Sequence, residues 1–136
     1  MACLDTSFLI DLCRRRGENR ERARRKLAEL RERGDALTTT RFTVAELYVG
    51  VFRSEDRTRE EDAVRAVLSE LVVLEFGADA AVVFGHFAAR LQALGRPSGD
   101  MDILIAATAL AADERTLVTR NAEHYRLLPG IDVEEY

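Results

Sequence analysis

Apolar residues fall in short runs that switch between a strand-like and a helix-like period. Residues 2–4 are apolar and end at Asp5. Phe8, Leu9, Ile10 and Leu12 then follow Thr6 and Ser7, two residue types suited to a helix N-cap, so the start reads as a strand and then a helix. Residues 14–19 form a polar break containing Gly17. Over 21–33, Ala23, Leu27 and Leu30 share one helical face, and Gly34 stops the pattern. Residues 36–42 are β-branched and apolar enough for a second strand. Helical spacing returns over 43–52 through Val44, Leu47, Tyr48 and Val51. Residues 54–61 read as a charged loop and helix start, continued over 63–71 by Val64, Val67, Leu68 and Leu71. A third strand is expected over 72–76, ended by Gly77, and a helix over 78–94, stopped by Gly95. Pro97 and Gly99 then break the chain ahead of a helix from about 102 to 112. A fourth strand over 116–119, a short helical turn over 121–126, a turn at Pro129-Gly130 and a last short strand over 131–133 complete the reading.

Short strands that are apolar on both faces and alternate with helices predict an α/β fold. The expectation is a short parallel sheet of about four to five strands with helices on both faces. The length of 136 residues suits a single domain spanning the chain, and 47% apolar with 32% charged residues describes an ordinary globular protein. No apolar run approaches a bilayer span, and the N-terminus has no basic segment followed by an apolar one, so a cytoplasmic protein is expected. Cys3 and Cys13 show no CxxC spacing and read as small buried residues. The net charge of −4 does not advertise a nucleic-acid binder, yet an acidic metal-binding cluster would itself lower the charge.

The chemistry is suggested by the stretch from Gly99 to Leu110. Asp100 and Asp102 stand ahead of a run that is almost uncharged up to Asp113, so the helix is buried on most sides. Negative charge is favoured in a first helical turn, but only one residue can be the N-cap. An Asp at the mouth of a buried helix is costly to desolvate unless something positive meets it, and a metal cation is a candidate. In open α/β sheets ligands bind beyond the carboxyl ends of the strands. Asp5 after the first strand, Glu46 in the helix after the second, Asp100 and Asp102, and Asn121 after the fourth strand are all brought to that edge. Converging carboxylates raise one another's pKa unless a cation joins them, and hard oxygen ligands select Mg²⁺ or Mn²⁺. One or two such ions activate water and stabilise the oxygens of an in-line displacement at phosphorus, which points to phosphodiester hydrolysis. Each residue also has a plainer role. Thr43-Val44-Ala45-Glu46 matches a capping box, Asp5 and Asn121 suit helix caps, Asp100 suits a solvated turn, and His86 and His124 suit solvent or a partner. Arg14-Arg15-Arg16 and the arginines up to Lys26 read as a solvated surface or as one side of a substrate path.

Four segments then occur in a fixed order: Leu4-Asp5-Thr6-Ser7-Phe8-Leu9-Ile10, Thr43-Val44-Ala45-Glu46-Leu47, Asp102-Ile103-Leu104-Ile105-Ala106-Ala107-Thr108-Ala109 and Leu117-Val118-Thr119-Arg120-Asn121. The ordered set resembles the PIN-domain family, most closely the VapC-type toxins of bacterial and archaeal toxin–antitoxin pairs, over nearly the whole chain. The resemblance implies a PIN-like fold and a Mg²⁺- or Mn²⁺-dependent endoribonuclease, the toxic component of a type II toxin–antitoxin system. It also implies an RNA substrate, a cognate antitoxin and a homodimer. Carried over by position, Asp5, Glu46 and Asp102 match the family's three principal acidic positions, which would be catalytic and metal-binding. Where the family often has a fourth acidic residue this chain has Asn121, leaving one charge fewer for a second metal, with Asp100 or Glu123 as possible substitutes. Thr6, Thr119 and Arg120 would face substrate or phosphate. The antitoxin would pack on residues 42–71 and the first helix and send an Arg into the acidic cleft.

Two other acidic-site classes on parallel sheets fit less well. Receiver domains and haloacid-dehalogenase-type phosphatases phosphorylate an Asp and use a late lysine, whereas Lys26 is the only lysine here and Asp5-Thr6-Ser7 lacks a second Asp. The remaining alternative is a catalytically weak PIN domain serving as a nucleic-acid- or partner-binding module, which RNA cleavage by the purified protein separates from an enzyme.

Overall fold

The computed structural model describes residues 1–96 and 99–136; of the expected break, Pro97 lies outside the described residues. Five strands are all parallel and are joined through helices: β1 (Ala2–Leu4), β2 (Leu37–Thr40), β3 (Val72–Leu74), β4 (Thr116–Val118) and β5 (Asp132–Glu134). Their order across the sheet is β3-β2-β1-β4-β5. In register, Cys3 of β1 stands beside Thr38 on one side and Leu117 on the other, so the strand that is buried at every position is also the central one.

The two faces of β1 feed two cores. Ala2 and Leu4 join Val118 against α1 (Thr6–Cys13), α2 (Glu18–Glu32), α3 (Arg41–Arg53) and α4 (Arg57–Leu68), where Phe8, Leu30, Leu47, Val51 and Val64 are buried. Cys3 and Leu117 face the other way, onto α5 (Ala78–Ala93) and α6 (Asp100–Ala111), with Phe87, Leu91, Ile103 and Ile105. A strand alternates its side chains between faces, so an apolar residue at every position is what a sheet covered on both sides requires. Cys3 and Cys13 are both buried and unpaired. Among the described residues no helix is long and apolar enough to cross a membrane.

Strand β2 carries three buried threonines. The hydroxyls of Thr38 and Thr39 donate to the carbonyls of Ala2 and Leu4 at 3.3 and 2.7 Å, so their burial leaves no polar group unpaired. Thr40 ends the strand by capping α3, accepting from the Thr43 N–H at 3.2 Å. The strand is therefore shorter than the expected 36–42 and the helix starts at Arg41 rather than 43, because a β-branched cap satisfies a helix-end donor that a longer strand would leave open. Helix α4 begins at Arg57, inside the stretch read as loop and helix start, capped by Asp56 through the Arg59 N–H at 3.2 Å, and ends at Leu68, short of the expected 71. Helix α6 begins at Asp100, not 102, with Gly99 as its cap. The final strand runs one residue later than predicted, after a turn in which Gly130 has φ 86°.

Candidate active site

The strand order reverses direction between β1 and β4: successive strands run outward from β1 to β3, then the chain returns to the other flank of β1. Such a reversal opens a crevice at the carboxyl ends of the two strands. Asp5 follows β1 and Thr119 follows β4, so both lie at that crevice.

Asp5 is the N-cap of α1, and Thr6 and Ser7 are its first helical residues rather than caps. Its Oδ1 accepts from the Phe8 N–H at 3.0 Å and from the Ser7 hydroxyl at 2.7 Å, and its Oδ2 accepts a short bond from the Thr119 hydroxyl. Only 3% of Asp5 is exposed. Burial pushes its carboxyl pKa up, these three donors pull it back, and the charge of Asp102 adds a further push. Capping and site roles coincide in this residue: one oxygen serves the helix, and the other faces Thr119.

Asp102 comes from the first turn of α6, across the crevice. Tyr125 ties it to Asp5: the phenol oxygen stands 3.1 Å from Asp102 Oδ1 and 3.5 Å from Asp5 Oδ2. Burial, then the two carboxylate charges, push the Tyr125 pKa far up, so the phenol stays a proton donor. Asp102 Oδ2 lies 2.8 Å from Nδ1 of His124. The sequence offers no signal for Tyr125 as a site residue, and it suits His124 to solvent or a partner, whereas the structure sets both against Asp102. An aromatic and a histidine in a short helical turn carry no motif; the turn Ala122–His124 has to be folded back onto α6 before they matter.

Glu46 projects from the second turn of α3. Because Thr40 is the cap, Thr43 occupies the third helical position and Glu46 cannot close a capping box, so that plainer reading is withdrawn. Glu46 Oε1 instead accepts from the hydroxyl of Thr6 at 2.6 Å, and Thr6 also lies 3.2 Å from the Thr43 hydroxyl. Thr6, the residue next to Asp5, therefore ties Glu46 to the start of α1.

The remaining candidates are placed less directly. Asn121 is half-buried, and its backbone N–H donates to the Thr119 hydroxyl at 2.9 Å; its side chain makes no capping bond to the turn that follows, contrary to its expected role as an N-cap. Asp100 is exposed at the first position of α6. Glu123 is exposed too, but it shares with Asp102, His124, Arg96, Leu91 and Leu127 the lining of a cavity of about 310 Å³. Arg120 Nε is 3.0 Å from Asp11, so its side chain is held by a carboxylate outside the crevice. Of the basic stretch, Arg14 also stands by Asp11, while Arg22 and Lys26 pair with Glu18 and Glu29 on their own helix.

The donor set suits a hard divalent cation: the converging groups are carboxylates, and a cation between Asp5 and Asp102 would offset the burial of Asp5 and relieve the smaller push from Asp102. Glu46, engaged with Thr6, stands apart from that pair. Among the described residues no group of three His, Cys, Asp or Glu side chains is gathered closely enough to hold a metal.

Comparison with known proteins agrees with this architecture. The family model for the PIN domain matches residues 2–127. Ribonuclease VapC19 of Mycobacterium tuberculosis is 33% identical over 131 residues, covering 96% of this chain and 97% of that protein. Among solved structures, the DNA-bound VapBC of Salmonella typhimurium superposes with a TM-score of 0.83 at 28% identity, covering 98% of this chain and 96% of that one. A toxin–antitoxin complex from Klebsiella pneumoniae superposes with a TM-score of 0.70 at 26% identity, covering 97% and 96%. Nucleases of the family are in general metal-dependent. A parallel sheet ordered 3-2-1-4-5 with acidic residues at its reversal point, together with these likenesses along nearly the whole length, leads to one assignment: the chain belongs to the PIN-domain family, among its VapC ribonucleases.

Proposed function

We propose that this chain is a metal-dependent endoribonuclease and the toxin of a type II toxin–antitoxin pair, acting as a single domain on RNA phosphodiesters. The observation that carries the site assignment is the approach of Asp5 and Asp102, from opposite sides of the reversal point, to the single phenol of Tyr125. Asp5 and Asp102 would hold Mg²⁺ or Mn²⁺, with Glu46 as the third carboxylate. When bound, the cation supplies activation of water and neutralisation of charge on the phosphate oxygens. The chain's own residues do the rest. Ser7 and Thr119 orient the two oxygens of Asp5, Thr6 orients Glu46, and Tyr125 and His124 orient Asp102. Asn121 adds a neutral oxygen where a fourth carboxylate would add charge.

A cognate antitoxin would seat an apolar side chain in the cavity of about 250 Å³ between α1, α2 and α4, lined by Leu12, Leu27, Val67 and Leu71 and edged by Arg20 and Arg24. The proposed functional unit is a homodimer held in check by that partner. The deciding experiment is cleavage of RNA by the purified chain with Mn²⁺ or Mg²⁺, against EDTA and against Asp5→Asn. Cleavage that needs both the metal and Asp5 supports the enzyme; RNA binding without cleavage would leave the binding-module reading, which the missing fourth carboxylate at Asn121 favours.

A further inference from the structure

Asp11 is fully buried, yet it belongs to neither core as an apolar residue would. Its Oδ2 accepts from Arg120 Nε at 3.0 Å and from the Tyr136 hydroxyl at 2.6 Å. Its Oδ1 faces Arg14 Nε at 3.4 Å and makes no hydrogen bond among the described residues. A buried ion pair seldom stabilises a fold more than apolar packing of the same volume would. The position of this carboxylate is better explained by what it holds than by stability.

What it holds is Arg120, whose backbone follows β4 at the sheet edge that carries Asp5, with Arg14 beside it. The Arg120 N–H donates to the Ser7 hydroxyl at 3.2 Å, and that hydroxyl donates to Asp5, so one side chain separates the arginine backbone from the acidic site. Arg14 lines a small cavity together with Glu46, which brings it to the other flank of the same site. Both arginines meet Asp11 through Nε. The side chains are 51% (Arg14) and 35% (Arg120) exposed, and Arg120 also neighbours the Tyr136 hydroxyl. A guanidinium held at Nε by Asp11, as in Arg120, with a second, half-exposed one beside it in Arg14, offers terminal nitrogens of the kind that phosphate oxygens take. An acidic centre repels an RNA strand, so cations beside it are needed to draw in the phosphates that flank the bond to be cut.

We infer that Arg120 and Arg14 form a subsite for a backbone phosphate flanking the scissile bond, and that Asp11 is the positioning residue that aims them. The inference rests on the ribonuclease reading above and deepens it. The two roles open to Asp11 differ in sign. As a mere negative charge beside the RNA path, its removal tightens RNA binding. As the anchor of two phosphate-binding arginines, its removal weakens binding although a repulsive charge has gone.

The test uses a fluorescein-labelled, 20-nucleotide single-stranded RNA of mixed sequence, with anisotropy read in EDTA across a series of salt concentrations. Arg120→Ala should weaken binding about tenfold and lower the salt slope by about 0.7, the share of one phosphate contact on a single strand. Asp11→Asn should also weaken binding, and by less in the Arg120→Ala background, where only Arg14 is left for it to position. Tighter or unchanged binding by a folded Asp11→Asn, checked by thermal unfolding, overturns the positioning role. Should that variant not fold, an unchanged slope in Arg120→Ala overturns the subsite by itself. Wild-type cleavage in Mn²⁺ is followed in parallel: its absence overturns the ribonuclease reading, whereas cleavage with an unchanged Arg120→Ala slope overturns only this inference.

Discussion

Replacing Tyr125 by Phe removes one oxygen from between Asp5 and Asp102 and leaves the ring in place. The ring is almost fully buried in the core beneath α6, so no cavity opens. What is lost is a hydrogen bond to a charged acceptor, 3.1 Å from Asp102 Oδ1, with Asp5 Oδ2 next nearest at 3.5 Å. Bonds of that kind contribute about 1.5–3 kcal/mol. Water can reach the half-buried Asp102 and replace part of the loss, but scarcely Asp5, which favours the lower end, about 1.5 kcal/mol. For a chain of this length the unfolding entropy is roughly 0.3 kcal/mol/K, so Tyr125→Phe should lower Tm by roughly 5 °C in metal-free buffer at neutral pH. The loss should shrink in acid, where protonated carboxyls are weaker acceptors. A double-mutant cycle with Asp102→Asn isolates the pair and should give a coupling of about 1 kcal/mol. A Tm within about 1 °C of wild type, or strict additivity with Asp102→Asn, would refute the claim that this phenol ties the two carboxylates together.

Asp5→Asn and Asp102→Asn should each reduce cleavage to background while the fold persists. Because burial raises the Asp5 pKa, folded protein keeps that proton to higher pH than the unfolded chain does. The associated stability is fully present below the unfolded value of about 3.9 and is lost as pH rises through the folded one. In EDTA, Asp5→Asn should therefore gain Tm relative to wild type as pH is raised to neutrality, and a gain that instead grows in acid would contradict the sign. Glu46→Gln keeps an acceptor for Thr6 and no capping role to lose, so thermal unfolding should stay within about 0.5 kcal/mol of wild type while Mn²⁺-dependent cleavage collapses; wild-type-like cleavage would remove Glu46 from the site. Thr40→Ala deletes the cap of α3 and should cost about 1 kcal/mol in denaturant unfolding, an effect that a start of the helix at 43 would not produce. Asn121→Asp restores a fourth carboxylate near the crevice and should lower the Mn²⁺ concentration for half-maximal cleavage; superimposable titrations would exclude Asn121 from metal binding.

Local pattern was enough to read the order of strands and helices, the parallel sheet covered on both faces and the edge at which the acids gather. Each follows from short-range chemistry: the apolar period of a helix or strand, the glycine that ends it, and the rule that crossover helices return every strand in the same direction. The buried run of α6 after Asp102 was legible for the same reason, since a nearly uncharged stretch between Asp102 and Asp113 has no solvent face to offer. The helix starts were less so. Thr40 and Thr43 are equally good caps in a string of letters, and the choice fell to Thr40 because β2 pairs with β3 only as far as that residue. That three-residue shift of the cap decides whether Glu46 serves its own helix or faces Thr6. Tertiary structure alone supplied Tyr125 and His124, which lie more than twenty residues from Asp102 and meet it only when the turn after β4 folds over α6. It likewise assigned Arg120 to Asp11, more than a hundred residues away. Periodicity records which face of an element is buried. Which polar groups meet at the end of a sheet depends on strand order, and strand order is settled by packing between segments that sequence keeps far apart.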